Sequence, residues 1–347
     1  MTHRDYIISQ IKHEETDYIP YELRMEGSAQ AKLTEYYGSA EWLNTLHWPI
    51  AMAPSYFDSW NTQRLQDPSI PNKTIDAYGN RWTWSNDMAH LDQGGMVGIE
   101  PQYYKWPGLN DFFWAERKAE LAQWCSSIPS DQFSMLPLGA GHWELTWRLL
   151  GVEEALIATL DDPDFFDDIL EHLDVLLNQF LDAVLDKPVD AFFICDDWCD
   201  QRTCTFGIKT WQKHIKPRLA RFYQKIHDSG KYVIQHVCGN AEPLLPDLIE
   251  IGLDVLETVQ PEAMDVYRVK KLYGDKITFF GALGVQNLVR FGTPDQIRDE
   301  IRRLRCELGK GGGFILAPCK PMNYDVPVEN LAAVYETFIE ENHKFLC

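Results

Sequence analysis

The chain has 347 residues, enough for two ordinary domains or one large α/β barrel, and with 45% apolar and 24% charged residues it can bury a core without staples. Gly 22 and Pro 19 are too few for a disordered or collagen-like chain. Acidic residues outnumber basic ones 52 to 32, and the resulting formal charge of −20 repels phosphate backbones and anionic lipid, which excludes nucleic acid and membrane surfaces as expected partners.

In chain order, Met1 to Asp17 is charged throughout with no apolar signal core, and no later run approaches the roughly eighteen apolar residues of a membrane span. The expected location is therefore the cytoplasm. The eight cysteines, several of them inside apolar runs such as Phe192-Phe193-Ile194-Cys195, read as reduced thiols rather than a disulfide framework. Ile19 to Leu23 reads as a first strand. From there to residue 130 the chain is rich in aromatics (Trp42, Trp48, Tyr56, Trp60, Trp82, Trp84, Tyr103, Tyr104, Trp106) with weak periodicity. The expectation is an elaboration over a barrel mouth, most of its rings packing as core and a few walling an apolar substrate.

Beyond residue 130 short apolar runs alternate with helical patterns. The predicted strands are Met135 to Ala140, Ala191 to Cys195, Tyr232 to Val237, Val255 to Val259, Thr278 to Leu283 and Phe314 to Ala317. Between them Phe165, Ile169, Leu173, Leu176, Leu177 and Phe180, and later Ile297, Ile301, Leu304 and Leu308, fall at helical spacing. Asp162-Pro163 and Thr293-Pro294 mark helix starts, and Gly311-Gly312-Gly313 precedes the last strand. Strand then helix, repeated without a linker, predicts an α/β fold with a single (β/α)8 TIM-type barrel over residues 1–347, residues 1–130 carrying the first strand and the elaboration and 131–347 the main repeats. No G-x-G-x-x-G follows an early strand, which argues against a dinucleotide-binding alternative.

Barrel active sites assemble at the carboxyl ends of strands. Those ends carry Glu144, Asp196 and Asp197, His236 and Cys238, Glu257, and Cys319. His236 and Cys238 stand two apart, so they share a face of an extended chain. An isolated His-x-Cys is more plainly a packed core pair, but Cys319 at another strand end makes two thiolates and an imidazole, a set that suits tetrahedral zinc with one position open for chemistry. Glu257 fits a fourth ligand, a partner orienting His236, or a buried acid. In Cys195-Asp196-Asp197-Trp198-Cys199, with Cys204, the cysteine spacings match no common zinc knuckle, so the carboxylates are taken as site residues and the cysteines as packing.

Several motifs together resemble the uroporphyrinogen decarboxylase-like barrels, and among them the zinc- and corrinoid-dependent methyltransferases. They are Arg4 with Glu15-Thr16-Asp17-Tyr18-Ile19-Pro20, Tyr104-x-Trp106-Pro107, Asp196-Asp197-Trp198 with Gln201, Lys216-Pro217-Arg218, His236-x-Cys238-Gly239, Gln260-Pro261, Phe280-Gly281, Gly311-Gly312-Gly313 and Pro327-x-Glu329-Asn330. The resemblance implies zinc on His236, Cys238 and Cys319, and a corrinoid (cobalamin) carried by a separate partner protein. The decarboxylase branch holds substrate carboxylates with an arginine-rich run after the first strand, whereas Leu23-Arg24-Met25-Glu26-Gly27 keeps one arginine.

The expected reaction is methyl transfer from a small methylated substrate, an aryl methyl ether on the strength of the aromatic elaboration, to the partner's corrinoid. Glu257 and Glu144 are the expected catalytic acids, and Asp196, Asp197, Arg24 and Trp198 the expected substrate contacts. Transfer from a methylcorrinoid to a thiol, and a metal-free decarboxylase using Arg24, Asp196 and Asp197, are the alternatives; a non-enzymatic binding module would not require so many acids and thiols at strand ends.

Overall fold

The computed structural model describes all residues except 47, 56, 58–64, 67–72, 86–87, 113 and 341–347. Its strands are β1 (Ile50–Met52), β2 (Leu65–Gln66), β3 (Lys73–Ile75), β4 (Arg81–Ser85), β5 (Met88–Gln93), β6 (Phe133–Ala140), β7 (Ala191–Cys195), β8 (Tyr232–His236), β9 (Val255–Val259), β10 (Thr278–Leu283) and β11 (Phe314–Pro318). β1 and β6 to β11 form one parallel sheet in the order β1-β6-β7-β8-β9-β10-β11. The six strands predicted after residue 130 are all present, within two residues at each end.

The eighth barrel position belongs to the segment around Tyr21, which bridges Leu316 of β11 in parallel. Glu22 N–H donates to Leu316 O and Leu316 N–H to Pro20 O, each at 2.9 Å. The expected strand Ile19 to Leu23 is thus an isolated bridge, because Pro20 has no N–H to give to a ladder. Sequence reading also missed a barrel strand, β1, which lies inside the supposed elaboration. The four residues between Pro49 and Pro54 carry no readable alternation.

Alternate strand residues point inward. Ile50, Phe133, Met135, Ala191, Ile234, Val255, Phe280, Ile315 and Ala317 make one buried cluster, into which the helix His3–Ile11 inserts Ile7 and Ile11. On the outside, the helix Pro163–Val184 buries Phe166, Ile169, Leu173, Leu176, Leu177 and Phe180, and Asp162 caps its start by accepting from Phe165 N–H. Thr293 and Gln296 close a capping box on the helix Pro294–Gly309. Ahead of β11 the three glycines 311–313 all have φ between +71° and +78°, and a Cβ on Gly312 would stand 2.7 Å from the His13 backbone. Only glycine fits there.

β2 to β5 form a four-stranded antiparallel sheet. It docks on the helix His142–Leu150 that follows β6: Met96 N–H donates to Leu149 O at 3.0 Å, and the Arg148 guanidinium lies 5.6 Å from the Trp82 ring. The aromatics of the N-terminal region are divided, with Trp48 and Tyr103 exposed and others packed. Trp42 and Trp82 are buried, Tyr104 meets Trp106 edge-on at 4.9 Å, and Trp106 stacks on His172 of the outer helical ring at 4.5 Å. Tyr56 and Trp60 lie outside the described residues. Six cysteines are free thiols; Cys306 is disulfide-bonded, contrary to the reduced-thiol expectation. Among the described residues no helix is long and apolar enough to cross a membrane.

At the lower rim His227 Nε2 bonds Asp254 Oδ2 at 2.8 Å, and the same oxygen accepts Val233 N–H at 2.7 Å. The hydrogen bond to Asp254 raises the His227 pKa above 6.5. A raised folded pKa means that the contribution is complete below about 6.5 and disappears as pH rises through the folded value. His227→Gln should therefore cost about 1 kcal/mol at pH ~6, partial exposure allowed for, and nothing at pH ~9. Denaturant midpoints at the two pH values check this; an equal cost at both would refute it.

Candidate metal centre and active site

β8 delivers His236 at its last position, and Cys238 follows on the same side of the chain. His236 is in register with Cys195 of β7 and with Glu257 of β9. Three side chains meet here. His236 Nε2 is 3.2 Å from Cys238 Sγ and 3.5 Å from Asp197 Oδ1, and Asp197, His236 and Cys238 offer ligand atoms that all lie within 4.8 Å of one another. Asp197 Oδ1 also accepts Cys238 N–H at 2.8 Å.

The other imidazole nitrogen is occupied. His236 Nδ1 pairs with Glu257 Oε2, and Glu257 Oε1 pairs with Arg24, whose Nε pairs with Glu22. Glu257 is completely buried. Burial alone would raise its carboxyl, but the Arg24 guanidinium and the His236 imidazole outweigh it and hold the pKa down at about 2. Both oxygens of Glu257 are engaged, and it orients His236 so that Nε2 faces Cys238 and Asp197.

Cys319 points inward at the end of β11, with its thiol donating to Val259 O at 3.2 Å. Burial holds that thiol well above its usual pKa. It is not in the three-residue group of Asp197, His236 and Cys238. Lys320, which sequence reasoning missed, adjoins Cys238: desolvation pulls its ammonium down, but the Cys238 and Asp197 charges and a hydrogen bond to Cys238 raise it overall. The signal that marks Cys319, its place just past the last strand, extends to Lys320 one residue later. Glu22 was likewise legible, since it shares a face with Arg24.

A second group forms around Asp196, which is fully buried. Its Oδ1 accepts Glu144 N–H at 2.7 Å, and its Oδ2 accepts Trp143 N–H at 3.2 Å and the Trp198 indole at 2.6 Å. Asp196 thereby anchors the N-terminus of the helix His142–Leu150. Burial pushes its carboxyl up to about 8 against the pull of those donors. Gly141 is obligatory, because a Cβ would meet the Asp196 carboxyl at 2.6 Å. Glu144 is held by Arg148 at 2.5 Å. Trp198 is entirely buried and packs edge-on against Trp211 at 5.3 Å. Cys199 and Cys204 face each other across an isolated antiparallel bridge, both buried, and burial pushes Cys204 up to about 11.

The donor chemistry fits a metal. Imidazole nitrogen, thiolate sulfur and carboxylate oxygen are the zinc-binding set, and a histidine whose far nitrogen is held by a buried carboxylate is the usual support for a ligating imidazole. A family model described as uroporphyrinogen decarboxylase (URO-D) matches residues 134–340. The methylated-thiol–coenzyme M methyltransferase of Methanosarcina mazei is 23% identical over 210 residues, 57% of this chain and 51% of that protein. The chain thus spans about half the length of that curated relative. Among solved structures a methyltransferase from Methanosarcina mazei superposes with a TM-score of 0.72 at 15% identity, covering 98% of this chain and 99% of the other. At that identity the likeness is one of fold, and the fold is the TIM-type barrel.

Proposed function

The chain belongs to the uroporphyrinogen decarboxylase (URO-D) family, and on that premise we propose that it is a zinc-dependent methyltransferase that moves a methyl group from a small methylated substrate to the corrinoid of a partner protein. The observation that carries this reading is the convergence of Asp197, His236 and Cys238, with the far side of His236 fixed by buried Glu257. The name of the Methanosarcina relative, a methyltransferase acting on a methylated thiol, supports the reaction class.

The proposed ligands are His236, Cys238 and Cys319, with Asp197 as the exchangeable oxygen. Asp197 is the most exposed of the acids at the site, its side chain 37% accessible, and one of its oxygens is already tied to the Cys238 amide. A bound zinc would supply Lewis acidity at the atom that gives up the methyl group, or hold a thiol as thiolate at neutral pH. The chain's own residues do the rest. Glu257 keeps His236 turned through Oε2 while Arg24 holds its Oε1. Glu144, set on its helix by Asp196 and steadied by Arg148, is the acid that steers a proton to the leaving group. The methyl carbon passes to the acceptor without its bonding pair, which stays on the leaving oxygen or sulfur. Location in the cytoplasm remains part of this proposal.

The donor is an aryl methyl ether or a methylated thiol. Trp42 and Trp82 are buried and Trp106 stacks on His172, which removes these three rings as walls for an ether; the relative's printed substrate favours the thiol. A decarboxylase would need Arg24 for a substrate carboxylate, and Glu22 and Glu257 already engage it. The deciding assay offers the purified protein aryl methyl ethers, methylated amines, betaines and methylated thiols with free cob(I)alamin and follows its absorbance. Methylation from one class is the expected result. Methylation of a thiol from methylcobalamin without the forward reaction would reverse the direction, and release of carbon dioxide from a carboxylated substrate with no methyl transfer would replace the proposal.

A further inference from the structure

We propose that Arg24 is a positioning residue acting through Glu257: it keeps the Glu257 carboxylate on His236, and thereby keeps His236 Nε2 presented to the metal. The inference rests on the zinc reading above and goes against the substrate-binding role that the sequence suggested for Arg24.

Arg24 sits in the eighth barrel position, where its carbonyl accepts Met322 N–H at 3.0 Å and Met25 bridges Met322. From there its side chain turns inward, the guanidinium 4.6 Å from the centre of the Phe280 ring. Two different edges of the fork are used, Nε on Glu22 and a terminal nitrogen on Glu257. An ammonium cannot reproduce that span. Glu257 has no exposed surface, so without the guanidinium it would be a buried charge balanced by the imidazole alone. Without that contact no other group among the described residues holds Glu257 Oε1, and a carboxylate free to turn away no longer presents Oε2 to His236 Nδ1. The remaining terminal nitrogen of Arg24 is buried with no hydrogen-bond partner, so direct contact with an anionic substrate is the rival role to be separated.

A double-mutant cycle separates them. Zinc dissociation constants, from competition with a chromophoric chelator, would be measured for the wild type, Arg24→Met, Glu257→Gln and the double variant. Each single change should weaken zinc binding about 10- to 100-fold, and the double variant should be no weaker than Glu257→Gln alone. If Arg24→Met does not fold, Arg24→Lys takes its place with at least ~10-fold weakening expected. Independent, multiplying effects would overturn the inference, as would unchanged zinc affinity with a raised KM for an anionic substrate. A wild-type chain that takes up no zinc would overturn the proposed function and this inference together, whereas a zinc-binding wild type with an additive cycle overturns this one alone.

Discussion

Cys238→Ala protein should purify without stoichiometric zinc and should lose methyl transfer by about 10³-fold, while its barrel remains folded. The loss is large because Cys238 is a proposed ligand whose sulfur lies 3.2 Å from His236 Nε2, and because removing a transition-state electrostatic contact costs about 10²-fold or more in rate. Folding survives because a catalytic metal in a chain with a core this size is not its main source of stability. Two further variants identify the remaining donor. Cys319→Ala should also empty the site, whereas Asp197→Ala should retain zinc with weakened substrate turnover. Metal analysis of the purified variants decides it: stoichiometric zinc in a Cys238→Ala, Cys319→Ala double variant would remove the ligand assignment altogether, and zinc lost from Asp197→Ala but kept by Cys319→Ala would exchange the roles of the two residues.

Asp196→Ala should destabilise the fold by about 4 kcal/mol, one of the largest effects a single change can have here. Three donors lose their acceptor at once: the Trp143 and Glu144 amides at a helix start and the Trp198 indole, all inside the structure. Loss of a helix N-terminal acceptor costs about 1 kcal/mol by itself, and each stranded buried donor adds about 1–3 kcal/mol before water relieves part of it. Asp196→Asn keeps one acceptor oxygen but sets an NH2 against a donor, so it should recover roughly half. Urea midpoints measure both variants; an Asp196→Ala cost below about 1 kcal/mol would mean that the carboxyl faces a ligand cavity instead of anchoring the helix.

The two residues of the Asp196-Asp197 pair illustrate what the sequence could not divide. Adjacent residues on an extended chain face opposite ways, and here one is turned into the packing beneath the helix His142–Leu150 while the other reaches the His236–Cys238 pair. Periodicity identifies both as strand-end acids and is silent on which one meets the metal donors. Trp198, expected as a substrate contact, is fully buried with its indole donating to Asp196. Several of the residues that carried the family resemblance prove to be joints of the barrel. Arg4 ties the first helix to Asp190 ahead of β7 at 2.7 Å, Lys216 reaches Asp247 at 2.6 Å, Gln260 accepts Gly239 N–H at 3.1 Å, and Asn330 donates to Val289 O and Gly292 O.

By itself the sequence determined the parallel β/α alternation after residue 130, the two long amphipathic helices with their caps, and the donors His236 and Cys238 on one strand end. All of these are local: strand length, helical period, cap chemistry and the two-residue repeat of an extended chain are written in neighbouring residues. Tertiary structure alone decided the rest. It made Ile50–Met52 a barrel strand, because partners come from β6, 83 residues on in the register Ile50↔Phe133. It joined Glu22, Arg24, Glu257 and His236 into one chain of contacts across the barrel, and it set Asp197 beside the His236–Cys238 pair. Contacts of that kind depend on where a curled sheet brings distant side chains, and hydrophobic period carries no record of the distance between two strand ends.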